Sequence, residues 1–215
     1  MAFVLPKVYP ILDSASIPVD GRVAFLDRLA KSLAESGVRL MEYRNKSGPD
    51  AQVLADARQL RAAMPSAVLI LDDRVDVAMA AGFNGVHVDD GDLPPAVARS
   101  LMGSGSVVGT SASSEAQLAE APAASVDYIA FGPIFPTTTK QTLAAPIGMD
   151  GVRRFRALAG PGVRLVAAAG ITLETAPTIL EAGADAVAVS AAIFSKADPA
   201  GEFERWIAVL EERGH

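Results

Sequence analysis

The feature that most constrains the fold is a regular alternation of short apolar segments with longer helix-like segments. Eight segments have the length and the Val, Ile, Leu and Ala content of buried strands. These predicted strands cover residues 8–13, 40–46, 67–73, 85–89, 107–112, 128–133, 164–170 and 186–192. Between them apolar residues recur every three or four positions, which is the helical period. The predicted helices cover residues 22–36, 50–63, 94–102, 114–121, 149–158, 173–182 and 199–213.

Alternating strands and helices in one chain predict a parallel sheet, which is either closed into a barrel or open and doubly wound. Eight repeated units favour closure. A doubly wound nucleotide-binding fold would usually carry a glycine-rich loop after its first strand, but residues 11–16 contain no glycine. A length of 215 residues suits a single barrel. We therefore predict a (β/α)8 TIM barrel that forms a single domain over residues 1–215.

The composition excludes several classes of function. The formal net charge of -6 disfavours a general electrostatic attraction to nucleic acid or to an anionic membrane. The absence of cysteine excludes disulfides, thiolate nucleophiles and Cys-ligated zinc. Residues 1–9 form too short an apolar run for a secretory signal or a membrane span. We expect a cytoplasmic protein with small-molecule substrates, and the sequence leaves open whether it forms a homo-oligomer.

The second predicted strand carries three ionisable residues that alternate with other residues. Glu42, Arg44 and Lys46 are two positions apart, so they project from the same side of a strand. Burying three ionisable groups is costly unless they pair or meet a ligand. We therefore favour a binding site in the barrel interior over the alternative, an outward face covered by solvent.

Carboxylates are concentrated after the third and fourth predicted strands. Asp72 and Asp73 end the third strand, and Asp89, Asp90 and Asp92 follow the fourth. Neighbouring carboxylates repel one another unless a cation neutralises them, and oxygen-rich sites suit Mg²⁺. We predict a magnesium site. The alternative is that two of these residues, Asp73 and Asp92, cap the helices that follow.

Small and hydroxyl-bearing residues follow the last three strands. The loop after the sixth strand contains Thr137, Thr139 and Lys140, a combination that could hold a phosphate. The seventh and eighth strands end near Gly170, Val189 and Ser190. Loops after these two strands are the usual phosphate site of the fold, although small residues also serve tight packing between helix and sheet.

Two aromatic features are better explained by packing than by chemistry. His87 lies inside the fourth strand, and we interpret it as a buried, hydrogen-bonded core residue. Trp206 and Phe203 lie on the last predicted helix, where we expect them to pack against the barrel wall.

The motifs at the strand ends, taken together and in order, resemble those of the thiamine phosphate synthase family. The resemblance covers nearly the whole chain, and its most specific element is the segment from Gly132 to Lys140. The motifs are Tyr43-Arg44-Asn45-Lys46, Asp72-Asp73-Arg74, Gly85-Val86-His87, Asp92-Leu93-Pro94, Gly109-Thr110-Ser111, Asp127-Tyr128-Ile129, Gly132-Pro133-Ile134-Phe135-Pro136-Thr137-Thr138-Thr139-Lys140, Ala169-Gly170-Ile171 and Val189-Ser190-Ala191.

The resemblance implies an enzyme that joins hydroxymethylpyrimidine pyrophosphate to thiazole phosphate, releasing pyrophosphate and forming thiamine monophosphate. It implies that the pyrophosphate leaves first and that the thiazole nitrogen then captures a pyrimidine-methylene cation. By position, Asp73 and Asp92 would hold Mg²⁺. The leaving group would be bound by Arg44, Lys46, Ser111 and Lys140, and the thiazole phosphate side by Thr137, Thr139, Gly170, Val189 and Ser190.

The chain departs from the family pattern mainly by gaining acidic residues. Glu42 stands where the family usually has Gln beside the aminopyrimidine, and Asp72 stands where it has Asn. The Gly-Gln pair of the fourth loop is replaced by Asp89 and Asp90, and a glycine by Ala169. These departures keep two alternatives open, a thiazole tautomerase and a non-catalytic phosphate-metabolite binder derived from the synthase. Retention of Asp73, Asp92 and Lys140 argues against the tautomerase.

Overall fold

The eight strands form one closed parallel barrel. The computed structural model describes residues 3–121, 125–137 and 144–211. The strands are β1 Val8–Asp13, β2 Leu40–Arg44, β3 Val68–Asp72, β4 Gly85–Val88, β5 Val107–Ala112, β6 Tyr128–Phe131, β7 Leu165–Ala168 and β8 Ala186–Val189. They pair in chain order, and β8 closes the barrel against β1. The predicted (β/α)8 barrel is confirmed, and the open sheet is excluded.

Helices connect the strands on the outside of the barrel. They are α1 Arg22–Glu35, α2 Asp50–Ala63, α3 Val75–Ala81, α4 Pro95–Met102, α5 Glu115–Glu120, α6 Gly148–Ala159, α7 Ala176–Glu181, α8 Ala191–Phe194 and α9 Pro199–Glu211. None of the helices in these described ranges combines the length and apolar character needed to cross a bilayer.

Helix α8 was not predicted, α3 was expected only as the helix that Asp73 could cap, and most strands end earlier than predicted. Six strands stop one to three residues before the predicted end, because the residues that follow belong to loops or, after β8, to the start of α8. Helix α3 is short and apolar in most positions, so its sequence shows no clear helical period. The four residues of α8 fall partly within the predicted eighth strand.

Alternation along the strands fills the barrel interior in layers. One cluster of mostly apolar side chains fills the barrel interior beneath the carboxyl ends of the strands. It comprises Tyr9, Leu40, Ile70, Val107, Tyr128, Val166, Ala186 and Ala188. At the next inward position along β2, β3 and β4 the side chains become polar; these are Glu42, Asp72 and His87, which are all buried. The polar layer therefore forms the floor of a site at the carboxyl ends of the strands.

The second core lies between the barrel and the helices. Helix α1 contributes Leu26, Leu29, Ala30 and Leu33, which follow the helical period and are buried. Trp206 of α9 is fully buried and donates its indole N–H to Glu202. Phe203 is also buried, so the expectation that both aromatic residues pack against the barrel is confirmed.

Candidate active site

A cavity of about 550 Å³ opens at the carboxyl ends of the strands. This volume is within the range typical of small-molecule sites. All eight strands or the loops that follow them contribute to its wall. The lining residues that carry polar side chains are Tyr9, Asp13, Glu42, Arg44, Asp72, His87, Asp89, Ser111, Thr137, Thr172, Ser190 and Ser195.

The two cations of β2 and its following loop lie on one side of this cavity, where carboxylates hold them. Arg44 donates to Asp13, and its Nε lies 3.4 Å from Oδ2 of Asp72. Lys46 lies beyond the end of β2, with its Nζ 3.1 Å from Asp72 and in contact with Asp73. Arg44 lines the cavity, whereas Lys46 lies beside it in a neighbouring cleft. The prediction that these residues face the barrel interior therefore agrees with the geometry for Glu42 and Arg44, whereas Lys46 lies beyond the strand and outside the cavity wall.

Asp72 is a buried carboxylate in an unfavourable electrostatic position. Loss of solvent raises its pKa to about 7, and the negative charge of Glu42 adds to this effect. The positive charges of His87 and Lys46 oppose the increase. The Asp72 carboxylate therefore competes with any anionic ligand for Arg44 and Lys46.

Asp73 and Asp92 come together at the rim beside Lys46. Asp73 adopts a positive φ of 65°, which is uncommon for a residue other than glycine and is often found at functional sites. The pKa of Asp92 is raised by burial, lowered by the hydrogen bond from the backbone N–H of Asp89, and raised by the neighbouring Asp73. Two carboxylates thus face each other beside Lys46.

The helix-capping alternative for these two residues is wrong. Helix α3 has Arg74 as its N-cap and helix α4 has Pro94, and neither cap forms a side-chain hydrogen bond. Instead, Asp92 accepts a hydrogen bond of 2.8 Å from the backbone N–H of Asp89, which closes the loop after β4.

The pair of carboxylates suits a magnesium ion whose remaining ligands are water and substrate phosphate oxygens. Among the described residues, no three His, Cys, Asp or Glu side chains are grouped as a complete metal site. Mg²⁺ is usually held by one or two carboxylates together with water and substrate phosphates, so the pair formed by Asp73 and Asp92 is a suitable donor set. Asp90 is not part of it, because its carboxylate is exposed and accepts from Gln117.

His87 is buried, as predicted, but it also lines the cavity. Its Nε2 lies 2.8 Å from Oγ of Ser111 and 3.2 Å from Asp89. Burial lowers the pKa of His87, but the hydrogen bond to Asp89 and the charge of Glu42 outweigh burial and raise the pKa to about 9. Neutral pH therefore leaves a positive charge beside Ser111.

The sequence analysis missed four polar residues of the cavity wall, Tyr9, Asp13, Thr172 and Ser195, and one buried residue behind the wall, Tyr128. Tyr9 and Asp13 of β1 line the cavity, and Tyr128 of β6 connects Tyr9 to His87 by hydrogen bonds. Tyr9 and Tyr128 appear within apolar runs, so only their inward strand positions could have indicated them. The partner of Asp13 is Arg44 on the adjacent strand, a pairing that requires the barrel register Asp13 to Arg44.

The wall formed by β6, β7 and β8 carries small residues. Thr137, Gly170, Val189 and Ser190 all line the cavity there. The Oγ of Ser190 is buried and has no hydrogen-bond partner among the described residues. A ligand oxygen would satisfy it. The predicted residues Thr139 and Lys140 lie outside the described residues.

The turn after β7 brings its backbone close to the loop after β6. Ala169 and Gly170 both adopt a positive φ, of 71° and 72°. A Cβ at Gly170 would lie 2.5 Å from the carbonyl oxygen of Phe135, so only glycine fits this approach. Gly170 therefore lines the cavity without a side chain, because a Cβ there would collide with Phe135.

A family model for thiamine monophosphate synthase matches residues 8–193. The chain belongs to this family. A thiamine-phosphate synthase of Koribacter versatilis is 42% identical over 207 residues, and the match covers 96% of both chains. A thiamine-phosphate synthase of Agrobacterium fabrum is 36% identical over 181 residues and 82% of each chain.

A solved structure of the same family agrees with the barrel described above. The thiamine phosphate pyrophosphorylase from Pyrococcus furiosus superimposes with a TM-score of 0.81 at 28% identity, and the match covers 96% of both chains. The family resemblance predicted from the strand-end motifs is thereby confirmed.

Proposed function

We propose that the protein is a thiamine-phosphate synthase. In this proposal it joins hydroxymethylpyrimidine pyrophosphate to thiazole phosphate and releases pyrophosphate. The observation that supports it most directly is a single cavity that contains Arg44 and Ser111 on one wall and Gly170 and Ser190 on another. An enzyme that catalyses this reaction needs two anion sites, one for the pyrophosphate leaving group and one for the phosphate of the thiazole substrate.

The leaving group would bind at the wall with positive charge. Arg44 and Ser111 line the cavity there, and Lys46 lies at its edge. We include Lys140 among these residues from the sequence alone. Asp73 and Asp92 would hold Mg²⁺, which when bound neutralises charge on the pyrophosphate. Magnesium dependence is part of the proposal.

The thiazole phosphate would bind at the wall of small residues. Gly170 and Val189 would approach it through the main chain, and Ser190 through its unpartnered hydroxyl. Thr137 lines the cavity between the two walls, and Thr139 is included from the sequence alone. This arrangement would direct the thiazole nitrogen towards the pyrimidine methylene carbon.

The reaction requires charge stabilisation rather than proton transfer. The bond from the methylene carbon to the pyrophosphate oxygen breaks, and the oxygen keeps the electron pair. The lone pair of the thiazole nitrogen then forms the new bond to carbon. Glu42 and Asp72, which form part of the cavity floor, would stabilise the positive charge that develops between these two steps.

The test supplies the purified protein with both phosphorylated precursors and Mg²⁺ and measures thiamine monophosphate and pyrophosphate. We expect both products in equal amounts, and neither when one precursor is omitted. Addition of a chelator should stop the reaction. An Arg44→Ala variant should lose most turnover, whereas Lys31→Ala, which removes an exposed cation of α1, should keep it.

Two other outcomes would replace the proposal. Tight binding of thiazole phosphate without formation of thiamine monophosphate would favour a non-catalytic binder. Isomerisation of a thiazole phosphate without any use of the pyrimidine substrate would favour a tautomerase.

A further inference from the structure

Four buried side chains form a chain of hydrogen bonds across the barrel interior. The hydroxyl of Tyr9 lies 2.5 Å from Oε2 of Glu42 and 2.8 Å from the hydroxyl of Tyr128. The hydroxyl of Tyr128 lies 3.0 Å from Nδ1 of His87. This series of hydrogen bonds thus connects four strands, β2, β1, β6 and β4, at the floor of the cavity.

Counting protons fixes the direction of every bond in this chain. Tyr9 donates its single hydroxyl proton to Oε2 of Glu42, so it has none left for a second bond. The bond between the two hydroxyls then requires Tyr128 to donate to Tyr9. Tyr128 has no further proton to give, so Nδ1 of His87 must donate to it. Burial raises the pKa of both tyrosines well above 10, so neither loses its proton near neutral pH.

The other ring nitrogen of His87 connects this series of hydrogen bonds to the side chains of the cavity. Nε2 lies 2.8 Å from Oγ of Ser111 and 3.2 Å from the carboxylate of Asp89. Because the carboxylate only accepts, Nε2 carries a proton and is a donor to both groups. Ser111 therefore receives a hydrogen bond from His87, and its own proton is left to point into the cavity.

Packing holds the central residue of this chain in place. Tyr128 is 1% exposed, and its ring meets that of Tyr9 edge-on at an interplanar angle of 89°. On the adjacent strand, a Cβ at Gly109 would lie 2.1 Å from Cζ of Tyr128, so the ring occupies the space that a side chain would need. This close packing restrains the ring and with it the hydroxyl of Tyr128.

We infer that Tyr128 is a positioning residue, which acts through His87 to turn the hydroxyl of Ser111 into a donor aimed at an anionic ligand. The inference rests on the proposed function, in which Ser111 contacts the pyrophosphate. Tyr128 itself does not line the cavity, so its effect on the ligand is indirect.

The proton order can be tested without any ligand. The sequence contains two histidines, and a His215→Gln variant leaves His87 as the single source of imidazole signals. Long-range ¹H–¹⁵N NMR spectra near neutral pH should show a proton on Nδ1 of His87. In a Tyr128→Phe variant, the signal of this proton should weaken or exchange faster. An Nδ1 without a proton in the otherwise unchanged protein would overturn the inference.

The effect on Ser111 can be tested by calorimetric binding of inorganic pyrophosphate in the presence of Mg²⁺. Tyr128→Phe should weaken binding about threefold to tenfold, the factor expected when one hydrogen bond to the ligand is weakened. In a Ser111→Ala background, the same change should have no further effect. An equal loss in both backgrounds would show that Tyr128 does not act through Ser111 and would overturn the inference.

A matched variant separates this effect from a general loss of packing. Tyr43 is also fully buried, but its hydroxyl donates to Asp56 on the outer side of the barrel. Tyr43→Phe should leave pyrophosphate binding unchanged. If the unmodified protein binds no pyrophosphate, the proposed function fails, and the NMR experiment still decides the proton order.

Discussion

At the scale of single residues, Asp72 is a buried carboxylate whose ionisation opposes folding. Its pKa is raised from 3.8 to about 7, chiefly by burial and then by Glu42. In the unfolded chain Asp72 ionises near its ordinary pKa, so the folded protein loses stability as the pH rises from about 4 to about 7. Below this window both states are protonated, and above it the loss is complete.

An Asp72→Asn variant should therefore gain stability over the original chain as the pH rises. The difference should be small near pH 4 and should reach on the order of 2–4 kcal/mol above pH 7, since each pKa unit corresponds to about 1.4 kcal/mol. Urea unfolding of the metal-free protein at several pH values measures it. Asp76→Asn is the control, because its exposed carboxylate has a lowered pKa and should show a small change of opposite sign. A difference that does not vary with pH would contradict the assignment.

Asp73 provides a second prediction at this scale. Asn tolerates the positive φ of Asp73 and has nearly the same shape, so Asp73→Asn should fold normally. It removes one of the two carboxylates proposed to hold Mg²⁺. Turnover at a fixed low Mg²⁺ concentration should fall by about 10-fold to 100-fold and should recover in part at high Mg²⁺. Asp90→Asn, on the neighbouring loop, should behave as the unmodified protein.

At the scale of elements, the turn between β7 and α7 shows how a close approach of two backbone segments restricts the residue type at one position. Gly170→Ala would place a methyl group 2.5 Å from the carbonyl oxygen of Phe135 and would also add the cost of a positive φ. We expect a loss of at least 1–2 kcal/mol in the free energy of unfolding, from the backbone conformation alone. Affinity for thiazole phosphate should fall as well.

The control for this change is Gly162→Ala, at a glycine with open space around it and no positive φ. It should leave the free energy of unfolding and the free energy of thiazole phosphate binding within about 0.5 kcal/mol of the original values, as for most surface substitutions. Equal effects of the two changes, in chemical denaturation and in calorimetric titration of thiazole phosphate, would show that the approach of Phe135 is not the cause.

The sequence predicted the elements better than their ends. All eight strands were predicted because their apolar runs and spacing are set by burial on both faces. Their ends were extended too far, since Lys46 and Gly170 continue the pattern beyond the last paired residues. The candidate site was predicted where charges break an apolar run, as at Arg44 and Asp72. The roles of Tyr9 and Tyr128 could not be predicted, because their partners lie on strands that are distant in sequence.

At the scale of the whole molecule, closure of the barrel joins the beginning of the chain to its end. Strand β1 pairs with β8, and α9 packs against both α1 and β1. A substitution that destabilises β1 should therefore also destabilise the last helix, α9. This leads us to propose that the barrel unfolds as one cooperative unit, which is the energetic meaning of the single domain predicted from the sequence.

The single tryptophan makes this testable. Trp206 is fully buried in α9, so its fluorescence reports on the last helix, while far-ultraviolet circular dichroism reports on all helices and strands. The two signals should give the same midpoint in urea. Leu12→Ala in β1, at a fully buried position, should cost about 2–5 kcal/mol and should lower both midpoints equally. Leu101→Ala, at a half-exposed position on α4, should change neither midpoint measurably. If Leu12→Ala lowered the circular dichroism midpoint and left that of Trp206 unchanged, the end of the chain would unfold independently of the barrel, and the molecule would not be one cooperative unit.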